Sequence, residues 1–293
     1  MKLHCFKITA KYESVTKASE ELYIPQPTIS KQIRSLEAEL GFQLFTRRGK
    51  HIYLNENGKI FLEYVQKFDN LMEDCKKEIF DQNQKAEGSV SLLVMSCSKM
   101  LPNILQEFRR LYPDIRLYIN QSDSLSGNED LKLFSQSDGL NSSNCIQLLR
   151  EDICLALPLG HPLVFKKSVT LKDLQNERFI MLKPESNLRK VIDPFFQKHD
   201  FRPNIVMEAE NPSLLRELIS SNFGISIMPA ITWGNASAMQ IKLIPFNEVS
   251  LGRNIYLSWN KDRYLSRSAC LFRSFLEKYF EDIVVPPHYD TFY

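Results

Sequence analysis

The chain has no run of about 18 apolar residues and no hydrophobic leader segment near its start, so neither a membrane span nor secretion is expected and a cytoplasmic protein is the reading. Glycine is scarce, at ten of 293 residues. None of the glycines builds a Walker phosphate loop, a Gly-x-Gly-x-x-Gly dinucleotide turn or a Gly-x-Ser-x-Gly elbow, and no His-Glu-x-x-His occurs, so the common enzyme classes that need these backbones and side chains are not expected. The six cysteines, Cys5, Cys75, Cys97, Cys145, Cys154 and Cys270, contain no Cys-x-x-Cys pair. A reducing compartment is the plain inference, with a redox switch at Cys97, or between Cys145 and Cys154, as the sharper alternative. The five histidines, His4, His51, His161, His199 and His288, are too dispersed to suggest a metal site, and no cofactor is expected.

What is present is concentrated in the first 60 residues. Ala18 and Leu22 lie four apart, and Ile29, Ile33, Leu36 and Leu40 recur at spacings of four, three and four, which predicts two amphipathic helices burying their stripes on each other. Pro25 and Pro27 end the first helix, and Pro27 suits the first turn of the second, where a missing N–H costs nothing. Off the apolar stripe the second helix carries Thr28, Ser30, Lys31, Gln32, Arg34 and Ser35. That set reaches base edges and phosphates in a major groove, though a merely solvated face carries such residues too.

Gly41 then reads as a helix stop, Leu44-Phe45 return to the core, and Thr46-Arg47-Arg48-Gly49-Lys50-His51 form a basic turn before Ile52-Tyr53-Leu54, the pattern of a wing beside a recognition helix. Residues 1–57 hold nine Lys or Arg against six Glu, a net of +3, whereas the whole chain carries +2. The positive charge therefore sits in this module, as expected of a DNA reader joined to a neutral domain.

Phe6, Ser14 to Ala18, Leu22, Gln26 to Ile33, Leu36-Glu37, Leu40-Gly41, Leu44-Phe45, Arg47-Arg48, Leu54 and Gly58 make the sequence resemble the LysR-type transcriptional regulators. By that resemblance Gln26, Pro27, Ser30 and Lys31 occupy base- and phosphate-contacting positions, with Thr28 among them, Arg34 facing the backbone, and Arg47 and Arg48 on the wing. Two departures stand out. Pro25 replaces a usual capping Ser or Thr, a loss of roughly 0.5–2 kcal/mol. Lys31 replaces a usual Arg and lacks its bidentate fork.

The resemblance implies an α plus α/β chain. A winged helix-turn-helix spans 1–58, a linker helix and hinge 59–87, and an effector domain 88–293. That last part has two α/β subdomains like a periplasmic solute-binding protein, one over about 88–158 and 260–293, the other over about 159–259. The linker's own pattern agrees. From Lys59 to about Lys85, Phe61, Val65, Phe68, Met72, Cys75 and Ile79 alternate spacings of four and three, an a/d seam. Tyr64, Leu71 and Phe80 add a second stripe too apolar for a lone helix in water, so a dimer is expected, and the resemblance makes it an antiparallel pair. Two recognition helices then predict an interrupted palindrome of double-stranded DNA near promoters. A tetramer and a contact with RNA polymerase are further partners that the resemblance allows.

From Ser89 strand and helix alternate, beginning with 90–95, a helix near 101–111 and a strand at 115–119. Further strands are expected at 153–157, 179–182, 205–208, 225–228, 241–244 and 255–258, and helices near 187–199, 212–222 and 265–282. His161-Pro162-Leu163 and Gly224 to Pro229 match landmarks of the family. Ligands of open α/β sheets lie beyond the carboxyl ends of strands. That places Ser96, Cys97, Ser98 and Lys99 after the first strand, Glu185, Ser186 and Asn187 before one helix, and Asn211 and Ser213 before another. Each reads equally as a helix cap. Lys99 favours an anionic small-molecule effector. Between Ser122 and Asn144 no apolar run of strand length is apparent; Leu131 to Phe134 reads as a helix fragment and Ser135 to Asn144 as a loop. A lost strand or remodelled binding wall is therefore expected, with an effector-blind DNA-binding dimer as the rival. The tail Pro286 to Tyr293 is expected to dock on its own domain.

Overall fold

The computed structural model describes residues 1–48, 51–82, 88–121, 129–137, 139–140, 142–234, 236–247 and 251–283. The chain divides into two units, Met1–Phe80 and Asp81–Tyr293.

The first unit contains α1 (Lys2–Tyr12), α2 (Val15–Leu22), α3 (Gln26–Leu40), the strands β1 (Phe45–Arg48) and β2 (His51–Leu54), and all but the last two residues of α4 (Glu56–Gln82). Ser14 caps α2, its Oγ accepting from the Lys17 N–H at 3.3 Å. The helix stops where Tyr23 turns left-handed at φ 54°. Pro25 begins α3 without a side-chain cap; its carbonyl accepts from Thr28 and Ile29 at 2.9 and 3.2 Å. Gly41, at φ +79°, closes α3 in the left-handed conformation that glycine adopts without a Cβ clash. Phe6, Ala18, Ile29 and Leu44 are fully buried, and Phe6 packs edge-on to Phe45 and Phe61 at 5.6 and 5.1 Å. Helix α4 starts three residues before the expected Lys59. Asn55 supplies the missed signal, its Oδ1 accepting from the Gly58 N–H at 2.8 Å. Gly58 is no break in this helix: a Cβ there would collide with the Leu44 carbonyl and the Leu54 side chain.

The second unit runs β3 (Gly88–Val94), α5 (Leu101–Leu111), β4 (Ile115–Asn120), β5 (Leu131–Gln136), β6 (Cys145–Pro158), β7 (Arg178–Leu182), α6 (Arg189–Lys198), β8 (Asn204–Ala209), α7 (Pro212–Ser220), β9 (Ser226–Pro229), β10 (Ile241–Ile244), β11 (Gly252–Ser258) and α8 (Arg267–Glu281). One sheet is ordered β10-β6-β11-β5-β3-β4, with β9 also on β6; β7 and β8 form a parallel pair. Strand β3 is parallel to β4 and β5, while β11 is antiparallel to both β5 and β6.

Two hydrophobic cores share this unit. Val90, Leu92, Ile104, Phe108, Leu133, Ile255 and Phe272 belong to one; Ile153, Leu155, Phe179, Ile192, Ile219 and Ile227 belong to the other. Strand β6 gives Leu149 to the first and Ile153, Leu155, Ala156 and Leu157 to the second. Leu251, just before β11, belongs to the second core, and Ile255 and Leu257 within β11 belong to the first. Along the chain the first core gives way to the second between Leu149 and Ile153 and resumes between Leu251 and Ile255, in each case several residues before the expected limits at 158 and 259.

The strand expected to be lost is present. Leu131 to Gln136 pairs in parallel with β3 and antiparallel with β11, so the helix-fragment reading is corrected. Leu131 and Leu133 are buried, while Lys132 and Phe134 face the other side at intermediate exposure. A strand in mid-sheet needs only two large inward residues when its partners supply the rest, which is why no apolar run marked it. Asp130, just before it, accepts from the Ser91 N–H at 2.8 Å and joins the two strands. The sequence readings for the hinge at 83–87 and the tail from 286 lie outside the described residues.

Candidate DNA interface and effector site

On α3 the buried stripe of Ile29, Ile33 and Leu36 fixes the helix's rotation, leaving Gln26, Pro27, Lys31 and Arg34 exposed and Thr28 and Ser30 half-buried. These residues form one hydrogen-bonding face presented away from the core. The wing is a hairpin with Phe45 opposite Leu54 and Arg48 opposite His51, so Arg47 and Arg48 lie in its outer half.

Glu37, absent from the expected site residues, anchors the wing. It is buried, and its Oε1 accepts from the backbone N–H groups of Leu44 and Phe45 at 2.8 and 3.3 Å. A carboxylate receiving two N–H groups satisfies donors that would otherwise be orphaned past the helix end. Glu13 does the same for the Leu54 N–H at 2.8 Å. The wing's base is thereby tied to α3 and to the α1–α2 turn.

Along α4 the expected seam divides. Val65 is buried and Phe61 half-buried against the winged-helix core, so Val65 has no surface left for a second helix and is removed from the seam. Phe68, Met72, Cys75 and Ile79 are exposed, as are Tyr64, Leu71 and Phe80. Lys7, 2.6 Å from Asp69, ties α1 to the middle of the helix.

In the second unit a buried polar network joins the turn after β3 to the paired strands β6 and β11. Glu151 and Arg253 are register partners on those strands and are 0% and 3% exposed. Glu151 Oε1 accepts from Arg253 Nε at 2.8 Å and Thr232 Oγ1 at 2.7 Å; its Oε2 accepts from the N–H groups of Ile231 and Thr232 at 3.0 and 2.8 Å. Arg253 also donates to Thr232 Oγ1 at 2.8 Å and to Ser135 Oγ at 3.3 Å, and the Ser135 and Ser96 hydroxyls meet at 2.9 Å. Charge pair and hydrogen bonds are internally balanced, as burial requires.

Of the expected effector residues, Ser96 and Cys97 are buried in or beside this network, and Ser98 and Lys99 are exposed on the following turn. Cys97 is left-handed at φ 65°. Burial first, then the nearby Glu151 charge, pushes its thiol far above the ordinary range, with Arg253 opposing. Ser186, two residues before the N-cap position Leu188, accepts from the Arg189 N–H at 3.3 Å, and Asn211 is the N-cap of α7, accepting from Ser213 and Leu214 at 3.0 Å each. Glu151, Ser135, Thr232 and Arg253 were not anticipated. Their signal was a charge on the inward phase of each strand, Glu151 between Leu149 and Ile153 and Arg253 between Leu251 and Ile255. No membrane-crossing helix is found among the described residues.

Comparison with known proteins joins the two halves. Residues 1–59 match the family profile described as a bacterial regulatory helix-turn-helix protein of the lysR family, and residues 83–281 match the LysR substrate binding domain. A HTH-type transcriptional regulator of Bacillus subtilis (strain 168), YybE, is 32% identical over 96% of this chain and 98% of its own length. Full-length OxyR from Pseudomonas aeruginosa superposes with a TM-score of 0.66 at 18% identity, covering 96% of this chain and 93% of that one. Full-length CbnR, crystallised with its target DNA, gives 0.65 at 19% identity and covers 94% and 98%. With both profiles matched in order along it, the chain belongs to the LysR family of DNA-binding transcriptional regulators, not to a family of enzymes.

Proposed function

We propose that the chain acts as a homodimer that reads an interrupted palindrome near promoters. Gln26, Pro27, Thr28, Ser30 and Lys31 meet bases and phosphates, Arg34 the backbone, and Arg47 and Arg48 the flanking phosphates. The observation that carries this reading is the rotation of α3: burying Ile29, Ile33 and Leu36 leaves Gln26, Lys31 and Arg34 in solvent on one face. Phe68, Leu71, Met72, Ile79 and Phe80, exposed along α4, supply the surface for a second copy. A small-molecule effector binds at the turn after β3, where Ser98 and the Lys99 cation favour an anion. Ser186 and Asn211, at the N-termini of α6 and α7, offer further polar groups. The Ser96–Ser135–Arg253 links connect that turn to the β6–β11 pair, so occupancy there alters the geometry offered to DNA and RNA polymerase.

Selection of genomic fragments by the purified protein at near-physiological salt, followed by sequencing, tests the DNA reading. A few enriched interrupted palindromes beside promoters are expected. Recovery of random fragments that are lost on adding salt would sink it, because binding would then be phosphate contact alone.

A further inference from the structure

Among the described residues three arginines are buried: Arg189, Arg216 and Arg253. Two of them are answered by carboxylates. Arg189 meets Asp193 at 2.7 Å and Glu208 at 3.6 Å, and Arg253 meets Glu151 at 2.8 Å. Arg216, on α7 and only 3% exposed, has neutral partners alone. Its Nη2 donates to Ser213 Oγ at 3.1 Å and its Nη1 to the Trp233 carbonyl at 3.5 Å, and its Cζ lies 5.8 Å from the centre of the Trp233 ring. The carbonyl contact and the ring contact are both at the outer limit of such attractions, and a guanidinium has five donors to satisfy. Burial holds its pKa below the ordinary arginine value, with the charge of the adjacent Glu217 opposing. A buried cation without a counter-ion is unfavourable, and breaches of this kind cluster where a ligand completes the arrangement.

The guanidinium is close to solvent at one point. Ser213, which accepts from it, is exposed in the first turn of α7. The backbone N–H groups of Ser213 and Leu214 are already taken by Asn211, so the group left to be met is the guanidinium and not the helix end. The turn from Ile231 to Gly234, closed by a 3.0 Å hydrogen bond, joins this place to the turn after β3. Trp233 accepts from Arg216, and a Cβ on Gly234 would lie 3.9 Å from Lys99 Cβ.

We infer that Arg216 is the buried anchor of the effector site and takes a carboxylate, which enters at the start of α7 and replaces the Ser213 hydroxyl on the guanidinium. This rests on the effector reading above and adds to it the residue and the ligand class. A planar carboxylate matches the guanidinium fork with two parallel hydrogen bonds. Thr232, next to Trp233, donates to Glu151 at 2.7 Å, so the anchored anion lies one peptide unit from the buried network.

Thermal melting of the full-length protein at constant ionic strength tests the anchor, with acetate, benzoate, succinate and inorganic phosphate each compared with chloride. At least one carboxylate is expected to raise the wild-type melting temperature, as a ligand of the native state does, and to give Arg216→Met no such rise. Lys172→Met, which removes an exposed positive charge with no assigned role, should keep the protection. Without ligand, Arg216→Met should itself melt about 2–4 °C above the wild type, because an unanswered buried charge has been removed. The inference is overturned if that variant melts well below the wild type, if no carboxylate protects, if phosphate alone protects, or if wild type and Arg216→Met are protected equally. Protection that survives Arg216→Met but is lost in Lys99→Ala would place the anion at the turn after β3, overturning the anchor while leaving the effector reading intact.

Discussion

Arg253 Nε and Glu151 Oε1 meet at 2.8 Å across the paired strands β6 and β11, where β6 passes from one hydrophobic core to the other. A buried charge pair contributes little net stability over an apolar pair, yet removing one partner strands the other. Glu151→Ala is expected to destabilise the second unit by about 3–5 kcal/mol, and the double replacement Glu151→Leu with Arg253→Met by far less. Urea unfolding followed by circular dichroism measures both. A loss below about 1 kcal/mol for Glu151→Ala would contradict the burial described.

The wing depends on Glu37. Glu37→Ala leaves the Leu44 and Phe45 N–H groups without their acceptor, a cost of about 1–3 kcal/mol. Affinity for operator DNA should fall with it, since the hairpin loses its fixed position relative to α3. Unchanged anisotropy titrations with a destabilised protein would show that wing placement does not matter to binding.

Base readout and phosphate contact separate by substitution. Gln26→Ala should cost about 1–3 kcal/mol on the specific site and little on random DNA. Arg48→Ala should weaken both equally and lower the slope of log affinity against log salt by about one. Equal losses on both DNAs for Gln26→Ala would remove it from the bases.

The linker seam is tested by charge. Phe68 is 51% and Leu71 64% exposed in the single chain. Burying such a side chain is worth about 1.5–3 kcal/mol, and a symmetric pair counts it twice. Phe68→Asp or Leu71→Asp should therefore weaken dimerisation at least about a hundredfold, as read by sedimentation equilibrium. A dimer unaffected by both would move the interface off α4.

Thiol chemistry should follow burial. Cys75 is exposed, whereas Cys5, Cys97 and Cys154 are buried, and the Cys97 thiol is held protonated. In the Phe68→Asp protein, freed of its partner, alkylation at pH 8 should be rapid at Cys75 and slow at Cys97, with mass spectrometry locating the label. Cys145 and Cys154 lie nine residues apart on one strand, about 30 Å at the rise of an extended chain. A disulfide between them in native protein would contradict that strand.

The two-helix module and most α/β elements were legible because periodicity and capping act locally. Ile29 to Leu40 follows a helical period, and Asn211 precedes a proline-started helix. The strand at 131–136 was not legible, because its inward residues are only Leu131 and Leu133 and its identity rests on β3 and β11, far away in sequence. The Glu151 network was hidden for the same reason. Four of its members lie between 16 and 118 residues from one another along the chain, and only folding brings opposite charges on two strands into register. Ser186 and Asn211 show the converse: local sequence identified polar groups at helix starts, and local hydrogen bonds to the first N–H groups of those helices are what the structure gives them.

Strand β6 extends six residues before Glu151 and seven after it, arms of about 20 Å each. A bend of only ~10° at the ion pair would therefore swing either end by about 4 Å, comparable to the rise of most of a helical turn. A beam built in this way needs no large rearrangement at its centre to move what is attached to its tips.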